Sequence, residues 1–254
     1  TTCIQIMAKD TGRIGIVDAG TGIRKLGNDF LAMDSGQQEI FIAFSHFHWD
    51  HIQGFPFFAP AYDKNKVINI LALGEDRKFE NLKDIFSVQM QERYFPVSLE
   101  EMGATFNFLP ISKNTAVFTP PDNIPVKVTA MRHAHPGGAY SYRYDRDGGA
   151  VMISTDIEHG DALDDNIVEM ARDVDLLIHD AQYTAEELQS KRGWGHSSYD
   201  QAIEVATRAN VKQLVMTHHD PEHDDEFLRA QEKLCQQRCP NCMLSREGMA
   251  IDVG

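Results

Sequence analysis

Long apolar runs are missing from this chain. No stretch reaches the roughly 18 apolar residues that a membrane-spanning helix needs, so no membrane span is expected. The opening residues, TTCIQIMAKD, lack a Met, a basic start and a long apolar stretch, so no signal peptide is expected there. Cysteine is sparse: Cys3, Cys235, Cys239 and Cys242 are the four in 254 residues. That is too thin for the disulfide framework of a small secreted domain, and it implies a reducing, cytoplasmic setting. Positive charge is short as well, with 24 Lys and Arg against 38 Asp and Glu and a net charge of −14. An acidic surface repels polyanions, so DNA or RNA would bind without bulk electrostatic support. A nucleic-acid polymer is therefore not the expected partner, although such charge also simply keeps a protein dissolved.

What remains is ordinary for a globular protein: 42% hydrophobic and 24% charged residues. The length suits one α/β domain over residues 1–254. Cys235, Cys239 and Cys242 have a C-x3-C-x2-C spacing that could hold zinc. Closed zinc sites use four ligands and no fourth is evident, so thiols incidental to a turn at Pro240 are the better reading.

Residue alternation over Cys3–Ala8 and Arg13–Asp18 predicts a hairpin around Asp10-Thr11-Gly12. A turn at Asp18–Gly22 leads into a helix from Ile23 to about Met33. Further strands are expected at Glu39–Phe44, Val67–Leu73, Ala104–Leu109, Val126–Arg132, Tyr140–Tyr144, Ala150–Ser154, Asp175–His179, Gln213–Thr217 and Met249–Val253. Helices are expected at Arg77–Arg93, Asp161–Arg172, Ser198–Asn210 and His223–Gln236. Pro56 and Pro60 limit any helix in Ile52–Tyr62. Many strands come early and strand–helix alternation comes late, an order that two sheets flanked by helices accommodate. The stretch from Phe55 to Pro110 could form a lid or a homodimer contact; its Phe55, Phe57, Phe58, Phe86, Tyr94 and Phe95 could pack a base, but a core is the commoner fate of such rings.

The chemistry concentrates in Ser45-His46-Phe47-His48-Trp49-Asp50-His51, directly after an apolar strand. Imidazoles at alternate positions, His46 and His48, can turn two nitrogens toward one ion. Asp50 and His51 on the next turn can serve a second ion. Imidazole and carboxylate donors suit zinc, manganese or iron better than calcium or magnesium. Four ligand-type residues at this spacing are very hard to explain as surface decoration.

The H-x-H-x-D-H pattern resembles the signature of the metallo-β-lactamase superfamily, and the likeness runs from about Val17 to Val253. It implies an α/β fold, the four-layer αββα sandwich of that family. It also implies two divalent metal ions, zinc first with manganese or iron as alternatives. A further ligand His is expected downstream, and Arg132-His133-Ala134-His135-Pro136 offers two. The following Gly137–Arg143 is similar to a segment of ribonuclease Z and related phosphodiesterases, and that match selects His135, with His133 as neighbour. By the same resemblance Asp156 bridges both metals, its alternative being a helix cap. His218 is the last ligand, with His219 as competitor. The implied assignment puts His46, His48 and His135 on one metal and Asp50, His51 and His218 on the other, with Asp156 shared.

Trp194-Gly195-His196-Ser197-Ser198 is similar to the Gly-His-Ser/Thr motif of ribonuclease Z-like enzymes, which makes His196 a general acid or phosphate contact. The bland alternative is a His ahead of an N-cap at Ser197 or Ser198. Asp50 and His196 are the catalytic candidates. His179-Asp180 is either a strand-end turn or a carboxylate holding a ligand imidazole by its second nitrogen. His159 and His223 carry no motif and are expected at the surface. The function implied is hydrolysis of a small or cyclic phosphodiester. Two alternatives stand beside it: an acyl hydrolase of thioesterase, lactonase or glyoxalase type, and a non-hydrolytic metal-binding module.

Overall fold

Alternation at the N-terminus does build a hairpin. β1 (Ile4–Ala8) pairs antiparallel with β2 (Arg13–Val17), and Ile14, Ile16 and Val17 are buried. A computed structural model describes residues 1–32, 39–73, 82–111, 115–118 and 126–253. The chain divides into two compact units, Thr1–Lys113 and Asn114–Gly254.

In the first unit α1 (Gly22–Ala32) follows the hairpin and turns Ile23, Gly27 and Phe30 inward. The sheet then continues with β3 (Glu39–Phe44), the short α2 (Trp49–Ile52), β4 (Val67–Leu73), α3 (Leu82–Gln89) and β5 (Thr105–Ile111). Its order is β1-β2-β3-β4-β5, parallel from β2 onward. Interior strands of such sheets are apolar on both faces, which is why Glu39–Phe44 reads as a nearly continuous apolar run. Pro56 and Pro60 confine their segment to 3-10 turns at Phe55–Phe57 and Ala59–Tyr62. The starts of the helix expected at Arg77 and the end expected at Met33 lie outside the described residues. Phe86 centres the core, its ring 5.3 Å from Phe44, 4.5 Å from Phe55 and 5.9 Å from Phe108. Phe55, Phe58 and Phe86 are fully buried and cannot stack on a base, whereas Phe57 and Tyr94 are exposed.

The second unit holds β6 (Thr115–Phe118), β7 (Val126–His133), β8 (Ala139–Arg146), β9 (Gly149–Ser154), α4 (Asp165–Met170), β10 (Leu176–Asp180), α5 (Ala185–Ser190), α6 (Tyr199–Arg208), β11 (Gln213–Thr217), α7 (Asp225–Gln236) and β12 (Cys242–Leu244). The sheet order is β12-β11-β10-β9-β8-β7-β6, antiparallel from β6 to β9 and parallel from β9 to β12. α6 begins with a capping box between Ser198 and Gln201 and buries Tyr199, Ala202, Ile203, Val205 and Ala206 along one stripe. The strand expected at Met249–Val253 does not form. Cys242–Leu244 takes the place beside β11 because Cys242 and Leu244 reach the core, while none of residues 249–253 is buried.

Strand ends carry the candidate residues of each unit. Asp18 follows β2, His46 follows β3, His135 follows β7, Asp156 follows β9, Asp180 ends β10 and His218 follows β11. In each unit a sheet thereby presents polar side chains on short loops.

Candidate functional site

The N-terminal donors form one knot. His46 and His48 have ring centroids 4.4 Å apart, and His46 and His51 are 4.2 Å apart. His51 Nε2 lies 3.1 Å from Asp50 Oδ2. His48 sits at the N-terminus of α2, in extended conformation, so the chain turns sharply between His48 and Asp50. Asp18 organises the knot, although the sequence reading had placed it only in a turn. It accepts hydrogen bonds from the Ser45 amide at 2.7 Å, the Ser45 hydroxyl at 2.7 Å and His51 Nδ1 at 2.8 Å. Because the Ser45 hydroxyl directs its proton to Asp18, it accepts from His46 Nδ1–H at 3.1 Å. Both rings thus carry their proton on Nδ1, which makes Nε2 the basic nitrogen of each. This is the orientation that a carboxylate or hydroxyl behind a ligand imidazole produces. The loop is packed without slack: a Cβ at Gly54 would lie 2.1 Å from the Gly20 carbonyl oxygen.

The C-terminal donors are gathered from distant strand ends. His218 Nε2 lies 3.3 Å from Asp156 Oδ2, and the His218 ring stacks on His196 at 4.8 Å. His135 lies edge-on to His196, with ring centroids 5.5 Å apart. His135 Nδ1 donates to the Gly195 carbonyl at 2.8 Å, again making Nε2 the basic nitrogen. Gly195 has φ +93°, and a Cβ there would meet His135 Nδ1 at 2.2 Å, so only glycine fits. Asp18, Asp156 and His218 all have positive φ, at 63°, 53° and 63°. Left-handed backbone at non-glycine residues is costly, and such strain concentrates where a side chain must be aimed.

The alternatives within each pair differ in their hydrogen bonds. His133 is buried with both ring nitrogens engaged: Nε2–H donates to the Asp156 carbonyl at 3.1 Å, and Nδ1 accepts from Ser141 Oγ at 2.9 Å. Ser141 in turn accepts from Ser154 Oγ at 2.8 Å. His133 thus pins the backbone of Asp156, and burial pulls its pKa down to about 4. His219 donates from Nε2 to the Ser245 carbonyl at 3.2 Å, and burial lowers its pKa too.

Asp180 does not hold an assigned ligand imidazole. Its carboxylate accepts from His196 Nδ1 at 2.7 Å and from the Ser197 amide at 2.7 Å. His196 therefore does more than precede the α6 cap, which Ser198 provides. Asp156 caps no helix: α4 is capped by Asp164. His159 is buried, contrary to expectation. Its Nδ1 accepts from the Asp164 amide at 3.1 Å, its Nε2–H donates to His179 Nε2 at 3.2 Å, and His179 Nδ1–H donates to the Asp180 carbonyl at 2.6 Å. Burial, followed by the neighbouring His179, lowers the His159 pKa to about 3. His223 is likewise engaged, with Glu187 Oε1 at 2.9 Å. The His159–His179 and His223–Glu187 pairs were not legible in sequence because packing joins partners 20 and 36 positions apart. The one available signal was their position at or near strand ends.

Donor chemistry decides what the rings and carboxylates fit. In each unit imidazole Nε2 atoms stand beside a carboxylate, a set suited to borderline divalent metals. Asp180, His196 and His218 also bring donor atoms within 4.8 Å of one another. No helix among the described residues is long and apolar enough to cross a membrane.

A family model described as the Beta-lactamase superfamily domain matches residues 15–219. Over 116 residues the chain is 34% identical to ribonuclease Z of Parasynechococcus marenigrum (strain WH8102), a match covering 43% of this chain and 34% of that protein. The chain spans about a third of the length of the curated relatives it matches. The metallo-beta-lactamase fold protein YhfI of Bacillus subtilis superposes with a TM-score of 0.71 at 17% identity, over 98% of this chain and 90% of that one. The short form of human tRNase Z gives a TM-score of 0.70 at 18% identity, over 100% and 92%. At such identities the structures establish shared fold, and that fold is the α/β class the motifs implied. With the family model running from residue 15 to residue 219, the chain belongs to the metallo-β-lactamase superfamily.

Proposed function

We propose that this chain is a metal-dependent hydrolase of phosphodiesters, working as one domain although it divides into two units. His46, His48 and His135 would hold one divalent ion, Asp50, His51 and His218 a second, and Asp156 would serve both. When bound, two such ions make water nucleophilic at neutral pH and offset charge on the phosphoryl oxygens. Zinc is the first choice for this donor set, with manganese or iron as alternatives.

The observation that carries the reading is the Asp180–His196 pair beside His218. The leaving group of a phosphodiester is an alkoxide, and it needs a proton. Asp180 holds the His196 Nδ1 proton, which directs Nε2 outward as the atom that donates to the leaving oxygen. For that donation Nε2 must carry a proton as well, with the Asp180 carboxylate as the ring's partner at Nδ1. Thioester cleavage has less need of such a donor, since thiolates leave without one. Asp18, Ser45 and the Gly195 carbonyl keep the ligand rings aimed while the diester is held.

The net charge of −14 supports a small or cyclic diester. The ribonuclease Z match favours RNA as a second reading and weighs against setting nucleic acid aside. The test begins with chelated protein reloaded with zinc or manganese. Its turnover of bis(p-nitrophenyl) phosphate, a thioester, a lactone and a tRNA precursor is compared. Diester hydrolysis is expected to exceed both acyl reactions. His196→Ala should lower kcat by about 10²–10⁴-fold with metal content unchanged. Acyl turnover that equals or exceeds diester turnover would remove the assignment.

A further inference from the structure

Trp194 is a large apolar side chain left in solvent, 58% exposed, one residue from Gly195 and two from His196. Exposed tryptophan on a mobile tip means little, but this one is clamped. Glu158 accepts hydrogen bonds from both amides flanking it, Gly193 N at 2.7 Å and Gly195 N at 2.8 Å. Glu158 is itself tied to the His135 segment, its amide donating to the Ala134 carbonyl at 3.0 Å. The Trp194 amide bonds to the Lys191 carbonyl at 3.1 Å, and Arg192 pairs with Asp161. Lys191 Nζ stands 4.2 Å from the Trp194 ring centroid. An indole on a fixed backbone thus carries a cation and sits two residues before His196.

We propose that Trp194 is a stacking platform for a nucleobase attached to the scissile phosphodiester, with Lys191 meeting the substrate's negative charge. The inference rests on the phosphodiesterase reading and narrows it to base-bearing diesters over base-free cyclic sugar phosphates. An exposed tryptophan on a fixed backbone stacks on a base with little ordering cost. A cation on the same ring offers the phosphate an attraction that is modest in water and larger once the site is filled. The net negative charge of the chain makes such a local cation the more useful for holding an anionic ligand.

Two readouts test it. The chain has two tryptophans, so Trp49→Phe leaves Trp194 as the sole indole reporter. AMP added to this metal-free variant should quench its emission saturably, whereas ribose 5-phosphate should not. Equal quenching by both, or none by AMP, would overturn the proposal. In metal-loaded enzyme, Trp194→Ala should raise KM for 2′,3′-cyclic AMP about ten-fold, a typical loss for one stacked base. Its kcat, and both constants for glycerol 1,2-cyclic phosphate, should hold steady, and Trp194→Phe should restore most of the KM. An unchanged KM in Trp194→Ala for every base-bearing substrate would also overturn it. Running a short oligoribonucleotide in parallel separates the two sources of a base. A KM effect on cyclic AMP marks a mononucleotide site, and one confined to the oligomer marks an RNA end. AMP quenching without turnover of any diester would support the platform while removing the hydrolase reading.

Discussion

The candidate donors of the two units are built in opposite ways. In the N-terminal unit four donors come from six consecutive positions, His46 to His51, and one carboxylate, Asp18, anchors them. In the C-terminal unit His135, Asp156 and His218 come from three strand ends spread over 84 residues, counting from 135 to 218. Their scaffold is largely neutral imidazole: His133 behind Asp156, and His159 with His179 behind Asp180. A donor cluster can therefore be held either by local turn geometry with a carboxylate behind it or by buried neutral rings that fix distant loops. The first is cheap in sequence and the second demands a finished core.

The largest expected effect tests whether both halves serve one reaction. His48→Ala in the first unit and Asp156→Asn in the second should each abolish diester turnover, by at least about 10³-fold. Circular dichroism should show both folded. If either variant keeps substantial turnover, its half is dispensable and the comparison fails.

A smaller effect sharpens the role of the anchor. Asp18→Asn keeps the shape but weakens the acceptor behind His51 Nδ1. It should reduce metal affinity by about 10–100-fold, as loss of a carboxylate behind a ligand imidazole typically does. Competition with a chromogenic chelator would measure it, and unchanged affinity would mean that α2 alone orients His51.

The smallest effect probes the neutral scaffold. His159 has a folded pKa of about 3, lowered mainly by burial. The unfolded chain takes up this proton below about pH 6.5, and the folded chain resists it. Stability is thus full above about pH 6.5 and falls as pH drops toward the folded value. Between pH 7.5 and 5.5 this residue alone should lower stability by about 1.4 kcal/mol. Urea midpoints of chelated protein at the two pH values would show the loss, and His159→Gln should flatten it. An equal slope in the variant would place the acid sensitivity elsewhere.

Legibility followed locality. The hairpin, the buried β3 and the capped α6 were readable because alternation, apolar runs and a Ser-x-x-Gln box are short-range patterns. The terminal strand was misplaced because Met249–Val253 has the right composition, whereas burial of Cys242 and Leu244 chose the real one. Asp18 looked like a turn residue, since nothing nearby announces Ser45 and His51 as its partners. His159 looked like a surface residue for a similar reason: one of its two partners, His179, is twenty positions away.

Residue order alone determined the chemistry available: a dense run of imidazoles and carboxylate after an apolar strand, with further donors behind later strands. Tertiary structure decided which ring of each neighbouring pair is tied up in the scaffold, and that Asp180 serves His196. Side-chain type and local spacing are written in a few adjacent residues. The partner on the second nitrogen of an imidazole is chosen by packing between segments far apart in the chain, and no short pattern encodes that choice.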